Sequence, residues 1–182
     1  MKKHIIALAT ICAMSASTHL YAAENTSGFG ISGGISMLGG DSADVLDAMY
    51  DQETTGVVLG ATYTWGNGMF IFADYIPTVG EGSGSNPYLG LNAEISASML
   101  AFGLGYETEK NFRFAAGLNN TKTEARVWNR YVSVSDSVTE MGLSVKGGYV
   151  FASNFTIDAG LHFIDNAGTD GVVMALQAGY KF

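Results

Sequence analysis

Residues 172–182 alternate without a break. Val172, Met174, Leu176, Ala178, Tyr180 and Phe182 share one parity, and Val173, Ala175, Gln177, Gly179 and Lys181 the other. Successive side chains of a strand point to opposite faces, so this segment has one apolar, aromatic face and one small or polar face. The chain carries 24 glycines and 2 prolines at a mean hydropathy of +0.18, high for so much glycine. Past residue 22, no apolar run approaches the roughly 20 residues of a membrane-crossing helix. A hydrophobic, helix-poor chain can span a bilayer only as a closed β-barrel, because every backbone N–H and C=O in lipid must be bonded within the barrel.

The first residues fit export. Met1-Lys2-Lys3-His4 is a basic start, Ile5 to Ala16 is a short apolar stretch, and His19-Leu20-Tyr21-Ala22 supplies small residues at signal-peptidase spacing. We expect residues 1–22 to be a signal peptide, cleaved after Ala22 or Ala23, and residues 23–182 to form one barrel domain. Cys12, the only cysteine, lies in that leader behind Ile11, where a lipoprotein site would want a small residue. Without Lys2 and Lys3 the formal charge of -8 becomes -10. Such an acidic chain argues against nucleic acid as a partner.

Eight strands are expected, at about 28–38, 54–65, 69–77, 94–106, 112–120, 138–150, 155–164 and 171–182. Short links (Gly66-Asn67-Gly68, Glu107 to Asn111, Phe151 to Asn154) alternate with long polar ones, and Asp165 to Asp170 is intermediate. Outer-membrane barrels have short periplasmic turns and longer extracellular loops, so both chain ends are expected in the periplasm. The residue nearest the short-turn end on each apolar face is Phe29, Trp65, Met69, Tyr106, Phe112, Tyr149, Phe155 or Phe182. All but Met69 are aromatic, as an interfacial girdle requires. The upper girdle is thinner, with Tyr75 and Phe163. A soluble eight-stranded barrel would bury its apolar face and need no outer belt. The outward faces also change from polar to apolar without changing parity, at Ser98/Leu100, Leu118/Asn120 and Thr139/Met141. Strands 5 and 6 therefore continue above the membrane as a hairpin that turns near Trp128 to Tyr131.

The inward parity carries Gly30, Ser32, Gly34 and Ser36, and also Asp74, Arg113, Glu140, Lys146, Asp158, His162, Gln177 and Lys181. Eight strands enclose only enough space for side chains, and charges so confined must pair. Asp74, Arg113, Glu140, Lys146, Asp158 and His162 are read as a polar network that plugs the lumen; a narrow proton or ion path is the alternative. His162 is the only histidine after the leader. Gly160 and Ile164 occupy the places where a lipid-deacylase serine would stand, and one histidine without cysteine offers no metal spacing. No cofactor is expected. Loop 1 holds Asp41, Asp44, Asp47, Asp51 and Glu53 around Val45, Leu46 and Met49, a spacing that suits a short amphipathic helix. Loop 2, Gly80 to Asn92, is rich in glycine and serine and is expected to be mobile. Loop 3 gathers Lys122, Arg126 and Arg130 with Trp128 and Tyr131, the basic and aromatic cluster of an acidic protein.

Leader, alternating strands, protruding hairpin and terminal Tyr180-Lys181-Phe182 together resemble the small outer-membrane barrel family that includes OmpX, Ail and the transmembrane domain of OmpA. The resemblance covers all of residues 23–182 and is architectural. It implies a non-enzymatic barrel in the bacterial outer membrane, with Tyr180 and Phe182 as an assembly signal read by the barrel-assembly machinery and periplasmic chaperones. It implies adhesion, envelope integrity or host and phage interaction through the loops, with lipopolysaccharide, outer-membrane lipid or a host or phage molecule as partner. A periplasmic peptidoglycan-binding domain after Phe182, and with it the envelope-tethering role of longer relatives, is not expected. A narrow channel like the OmpW group and a lipid A-modifying enzyme are the competing functions.

Overall fold

The computed structural model describes residues 27–47, 51–86, 88, 90–165 and 170–182, so the expected leader lies outside the described residues. The elements are β1 (Gly28–Gly39), α1 (Asp41–Asp47), β2 (Asp51–Glu53), β3 (Thr55–Thr64), β4 (Met69–Asn86), β5 (Leu91–Glu107), β6 (Phe112–Trp128), β7 (Ser133–Val150), β8 (Phe155–Asp165) and β9 (Asp170–Lys181). Apart from β2, each strand pairs antiparallel with the next, and β1 pairs with β9 from Gly30↔Lys181 to Gly39↔Val172. The circuit is closed: an eight-stranded, up-and-down transmembrane β-barrel. The three-residue β2 adds to the upper end of β4, with Asp51 opposite Ser83.

The burial pattern is inverted relative to a soluble barrel. Ile31, Ile35, Leu59, Ile71, Phe102, Leu104, Leu143 and Leu176 point outward and are exposed, whereas Asp74, Glu107, Arg113, Lys146, Asp158 and His162 are buried inside. Apolar side chains outside and charges inside suit a hydrocarbon surround. The lower girdle is continuous in places. Phe112, Tyr149, Phe151 and Phe155 form a chain of ring contacts 5.0–6.0 Å apart, and Tyr63–Trp65 and Tyr180–Phe182 pair edge to face at 5.4 and 5.2 Å.

One turn is used three times at this end. In Trp65–Gly68, Thr108–Asn111 and Phe151–Asn154 the fourth residue donates to the carbonyl of the first, and the first donates to the residue after the turn. The fourth residue has positive φ: Gly68 (82°), Asn111 (64°) and Asn154 (61°). This is a type I turn closed by a left-handed residue, where glycine and asparagine are least penalised. The carbonyls of Gly68, Asn111 and Asn154 then accept from the N–H groups of Glu107, Val150 and Lys181, at 2.7, 2.9 and 2.8 Å. The N–H of Phe182 donates to Phe29 O at 2.7 Å, so the rim is stitched all the way across the β1–β9 closure.

At the opposite end the strands are longer than the sequence pattern indicates. The expected loop Gly80–Asn92 is largely a ladder, with Gly80–Asn86 paired to Leu91–Ala97. Ladder bonds need only backbone, so a run of glycine and serine can still pair. The register shifts between Ile76 and Gly80. That interval contains Pro77, which has no N–H to give and belongs at an irregularity. Residues 80–98 and 121–140 thus form one sheet that stands above the barrel, with β2 on its far side. The helix expected in loop 1 is present as α1, and its Leu46 is buried against the barrel mouth.

Candidate functional site

Four ion pairs among three acids and three bases brace the lower lumen. Lys181 Nζ on β9 lies 3.2 Å from Glu107 Oε1 on β5. Arg113 Nη1 on β6 lies 3.2 Å from Asp158 Oδ2 on β8, and its Nε is 3.9 Å from Glu107 Oε2. Lys146 Nζ on β7 lies 2.9 Å from Asp74 Oδ2 on β4 and also donates to Gln177 Oε1 at 3.2 Å. Three of these pairs join strands that are not neighbours in the barrel wall, and Arg113–Glu107 joins the adjacent β6 and β5. The guanidinium of Arg113 sits 4.3 Å from the centre of the Phe70 ring, and Lys146 Nζ 5.1 Å from that of Phe72. Three acids face three bases, so the buried charge sums to zero. A cavity of about 10 Å³ bounded by Ser32, Thr62, Arg113, Thr156 and Asp158 is the size of one water.

The sequence-predicted set is brought together with one displacement. Asp74, Arg113, Lys146 and Asp158 meet in these braces. Glu140 is half-buried opposite Thr121 on β6, and the acid joining Lys181 and Arg113 is Glu107. Glu107 was assigned to a turn. Its odd number continues the inward parity of Ala101, Gly103 and Gly105, which is the signal that could have found it. Deeper in, His162 Nδ1 is 2.8 Å from Ser144 Oγ, which accepts from Asn119 Nδ2 at 3.2 Å. The serine that β8 alone does not offer is thus supplied by β7. Ser144 and His162 are both sealed from solvent.

Above this polar half one side of the lumen is apolar. Leu38, Val58, Ile76, Val79, Met99, Ile164 and Val173 form one buried cluster, closed over by Leu46 of α1. On the other side Thr121 is buried opposite Met99, and His162 opposite Val173. Leu46 fits because residue 80 is glycine: a Cβ there would lie 2.7 Å from Leu46 Cδ1 and 3.0 Å from Leu38 Cδ2. The plug is therefore charge braces below and a largely apolar cap above.

The loop-3 cluster divides between the face and tip of the β6–β7 hairpin. Lys122 is ion-paired to exposed Glu124 near the barrel. Arg126 Cζ stands 5.4 Å from the Trp128 ring, and Arg126 Nε donates to Ser133 Oγ at 3.3 Å. Arg130 Cζ stands 5.7 Å from the Tyr131 ring. At the tip Asn129 Oδ1 accepts from the N–H groups of Tyr131 and Val132, both at 2.8 Å, and Asn129 N–H donates to Val132 O. β8 pairs with β7 only over Leu143–Val150, so residues 133–142, paired with β6 on one side, have no ladder partner on the other among the described residues.

No family model and no curated protein matches the chain. Solved structures do. The barrel is similar to Ail, the attachment invasion locus protein of Yersinia pestis, at 17% identity and a TM-score of 0.62 over 87% of this chain and 99% of that one. It is similar to the same protein in complex with the heparin analogue sucrose octasulfate, at 18% identity and 0.61 over 86% and 99%. The outer membrane protein AlkL matches at 14% identity and 0.52 over 91% and 94%. At these identities the likeness is one of fold. The chain is built as a small eight-stranded outer-membrane β-barrel.

Proposed function

We propose that this chain is a non-enzymatic protein of the bacterial outer membrane that acts through its protruding hairpins, with the short-turn end and both termini in the periplasm. Residues 1–22 would direct export, and the barrel-assembly machinery with periplasmic chaperones would insert residues 23–182, reading Tyr180 and Phe182. The observation that carries the reading is the hairpin sheet itself. Residues 121–140 extend beyond the apolar outward faces and carry Lys122, Arg126 and Trp128 along β6 and Arg130 and Tyr131 on a turn held by Asn129. Exposed loops on a rigid scaffold are where binding concentrates. Arginines favour phosphate and sulfate by bidentate hydrogen bonding, and the open β7 edge suits strand addition. Adhesion, envelope integrity and host or phage interaction all fit such a surface. A channel is disfavoured by the apolar cap, and lipid modification by the burial of Ser144 and His162.

Replacing Arg126 and Arg130 together with serine tests this. Binding to lipopolysaccharide, a sulfated polysaccharide or cells should weaken by about tenfold, two contacts of ~0.7 kcal/mol each. Its salt dependence should flatten. The barrel should keep its folded, heat-modifiable band, since neither side chain enters the wall. Unchanged binding to every such partner would leave the hairpin a solvated tip and move attention to loop 1.

A further inference from the structure

The tip of the β6–β7 hairpin is more apolar than an anion-binding loop needs to be. Tyr131 is 81% exposed, Val132 58% and Val134 62%, and Val127 and the neighbouring tip's Tyr88 are exposed as well. None of these side chains is required to close the hairpin, whose turn is held by Asn129. Exposed apolar groups at the far end of a structure mark a contact surface. The charge there also differs from its surroundings. Residues 125–135 contain Arg126 and Arg130 and no acid, within a chain of 17 acids and 9 bases. Each arginine is set over an aromatic ring, Trp128 or Tyr131.

We infer that this tip docks into the headgroup region of an opposing anionic membrane. The inference rests on the reading of the hairpin as the binding element and names its partner. Trp and Tyr partition to the lipid interface, where one edge of the ring is apolar and the other wet, and arginine there binds phosphate while its stem lies on apolar surface. A sulfated glycan would use the two arginines but give Val132, Val134 and Tyr131 nothing to bury against. A lipid surface satisfies both sets. The preformed turn fixes the rings before contact, which reduces the ordering cost of binding. Acids reach almost as high as the arginines. Asp51 lies opposite Ser83, which lies opposite Glu94 and through it Arg126, and Glu124 and Asp136 stand within two residues of that level. Glu94 offsets part of the charge of Arg126, whereas Arg130 at the turn lies beyond this level. Ring burial must therefore supply much of the affinity, and salt should weaken it only in part.

The chain has two tryptophans, Trp65 in the lower girdle and Trp128 at the tip, so Trp65→Phe makes Trp128 the sole reporter. The variant, reconstituted in phospholipid nanodiscs, is titrated with vesicles of phosphatidylcholine alone or with phosphatidylserine. Brominated chains are confined to the vesicles. With the anionic vesicles, Trp128 emission should shift to the blue and lose at least half its intensity to the bromines. Tyr131→Ser with Val132→Ser should weaken vesicle affinity at least fivefold while leaving the heat-modifiable band unchanged. If Trp65→Phe folds poorly, Ser135→Cys carrying an environment-sensitive fluorophore gives the same readout. An aqueous Trp128 spectrum in the presence of vesicles would overturn the proposal, as would equal capture by neutral vesicles. Binding of a sulfated polysaccharide without any vesicle effect would overturn it while leaving the surface-barrel reading in place.

Discussion

At the scale of single residues, Lys146 and Asp74 show what a narrow lumen demands. Asp74 is fully buried, and Lys146 reaches it across the barrel while also donating to Gln177 Oε1, which in turn accepts from Ser32 Oγ at 2.8 Å. Gly60 leaves the space for this junction, since a Cβ there would lie within 2.6 Å of Asp74 Oδ1. Breaking a buried pair from one side leaves an uncompensated charge, whereas replacing both partners by apolar groups can be close to neutral. Lys146→Ala is therefore expected to destabilise the barrel by about 3–5 kcal/mol in urea unfolding. Lys146→Met with Asp74→Leu should recover most of that loss; a double variant as unstable as the single would refute the brace. Phe182 has a different task. Its ring packs on Tyr180 and its N–H closes the rim on Phe29. Deleting it should lower the folded, heat-modifiable fraction and slow folding in cells, and an unchanged yield and rate would remove it as an assembly determinant. The inward residues were legible because alternation is strict within a strand. Glu107 was not, because an acid beside Thr108 to Asn111 reads as turn when its parity is not counted on.

At the scale of elements, the same alternation located all eight wall strands, but not how far their sheet extends beyond the barrel. Strand signals rest on apolar periodicity, and Gly80–Asn86 has none. Its pairing is dictated by its neighbour β5 and by the bulge at Pro77, which are tertiary facts. The β6–β7 hairpin was legible because polar and apolar positions keep one parity across Leu118/Asn120 and Thr139/Met141. Loop 1 was legible as a helix, yet its purpose was not. Only the three-dimensional arrangement brings Leu46 onto Leu38 and Gly80. Gly80→Val should expel Leu46 from that seat, and Leu46→Ala should cost α1 about 2–4 kcal/mol of local stability. Both changes should speed hydrogen exchange and proteolysis in residues 41–53 while leaving the wall strands protected. Equal protection of α1 in variant and wild type would mean that its position does not depend on this contact.

At the scale of the whole molecule, the wall, the two halves of the plug and the hairpin sheet divide the work. The wall satisfies lipid outside. The braces satisfy charge inside and tie β4, β5 and β6 to β7, β8 and β9 across the lumen. The cap separates this polar interior from the hairpin side. An ion crossing the barrel would have to displace the Asp74–Lys146 and Arg113–Asp158 pairs and then pass the packed layer of Ile76, Met99 and Val173, in which Thr121 and His162 are themselves buried. Hydrophobic constrictions close pores by excluding water even where side chains leave room. Planar bilayers holding the wild type should therefore show no steady single-channel current. The cap makes a sharper prediction than the braces do. Lys146→Ala with Asp74→Ala should open space in the lower lumen yet still fail to conduct, because the dry layer above it is intact. Adding Ile76→Ser, Met99→Ser and Val173→Ser to that pair should admit water and produce current. Conduction by the Lys146/Asp74 variant alone would show that charge, not the apolar cap, is the barrier. A large, steady current from the wild type would show that the plug opens in the membrane, and would return the narrow-channel reading to first place.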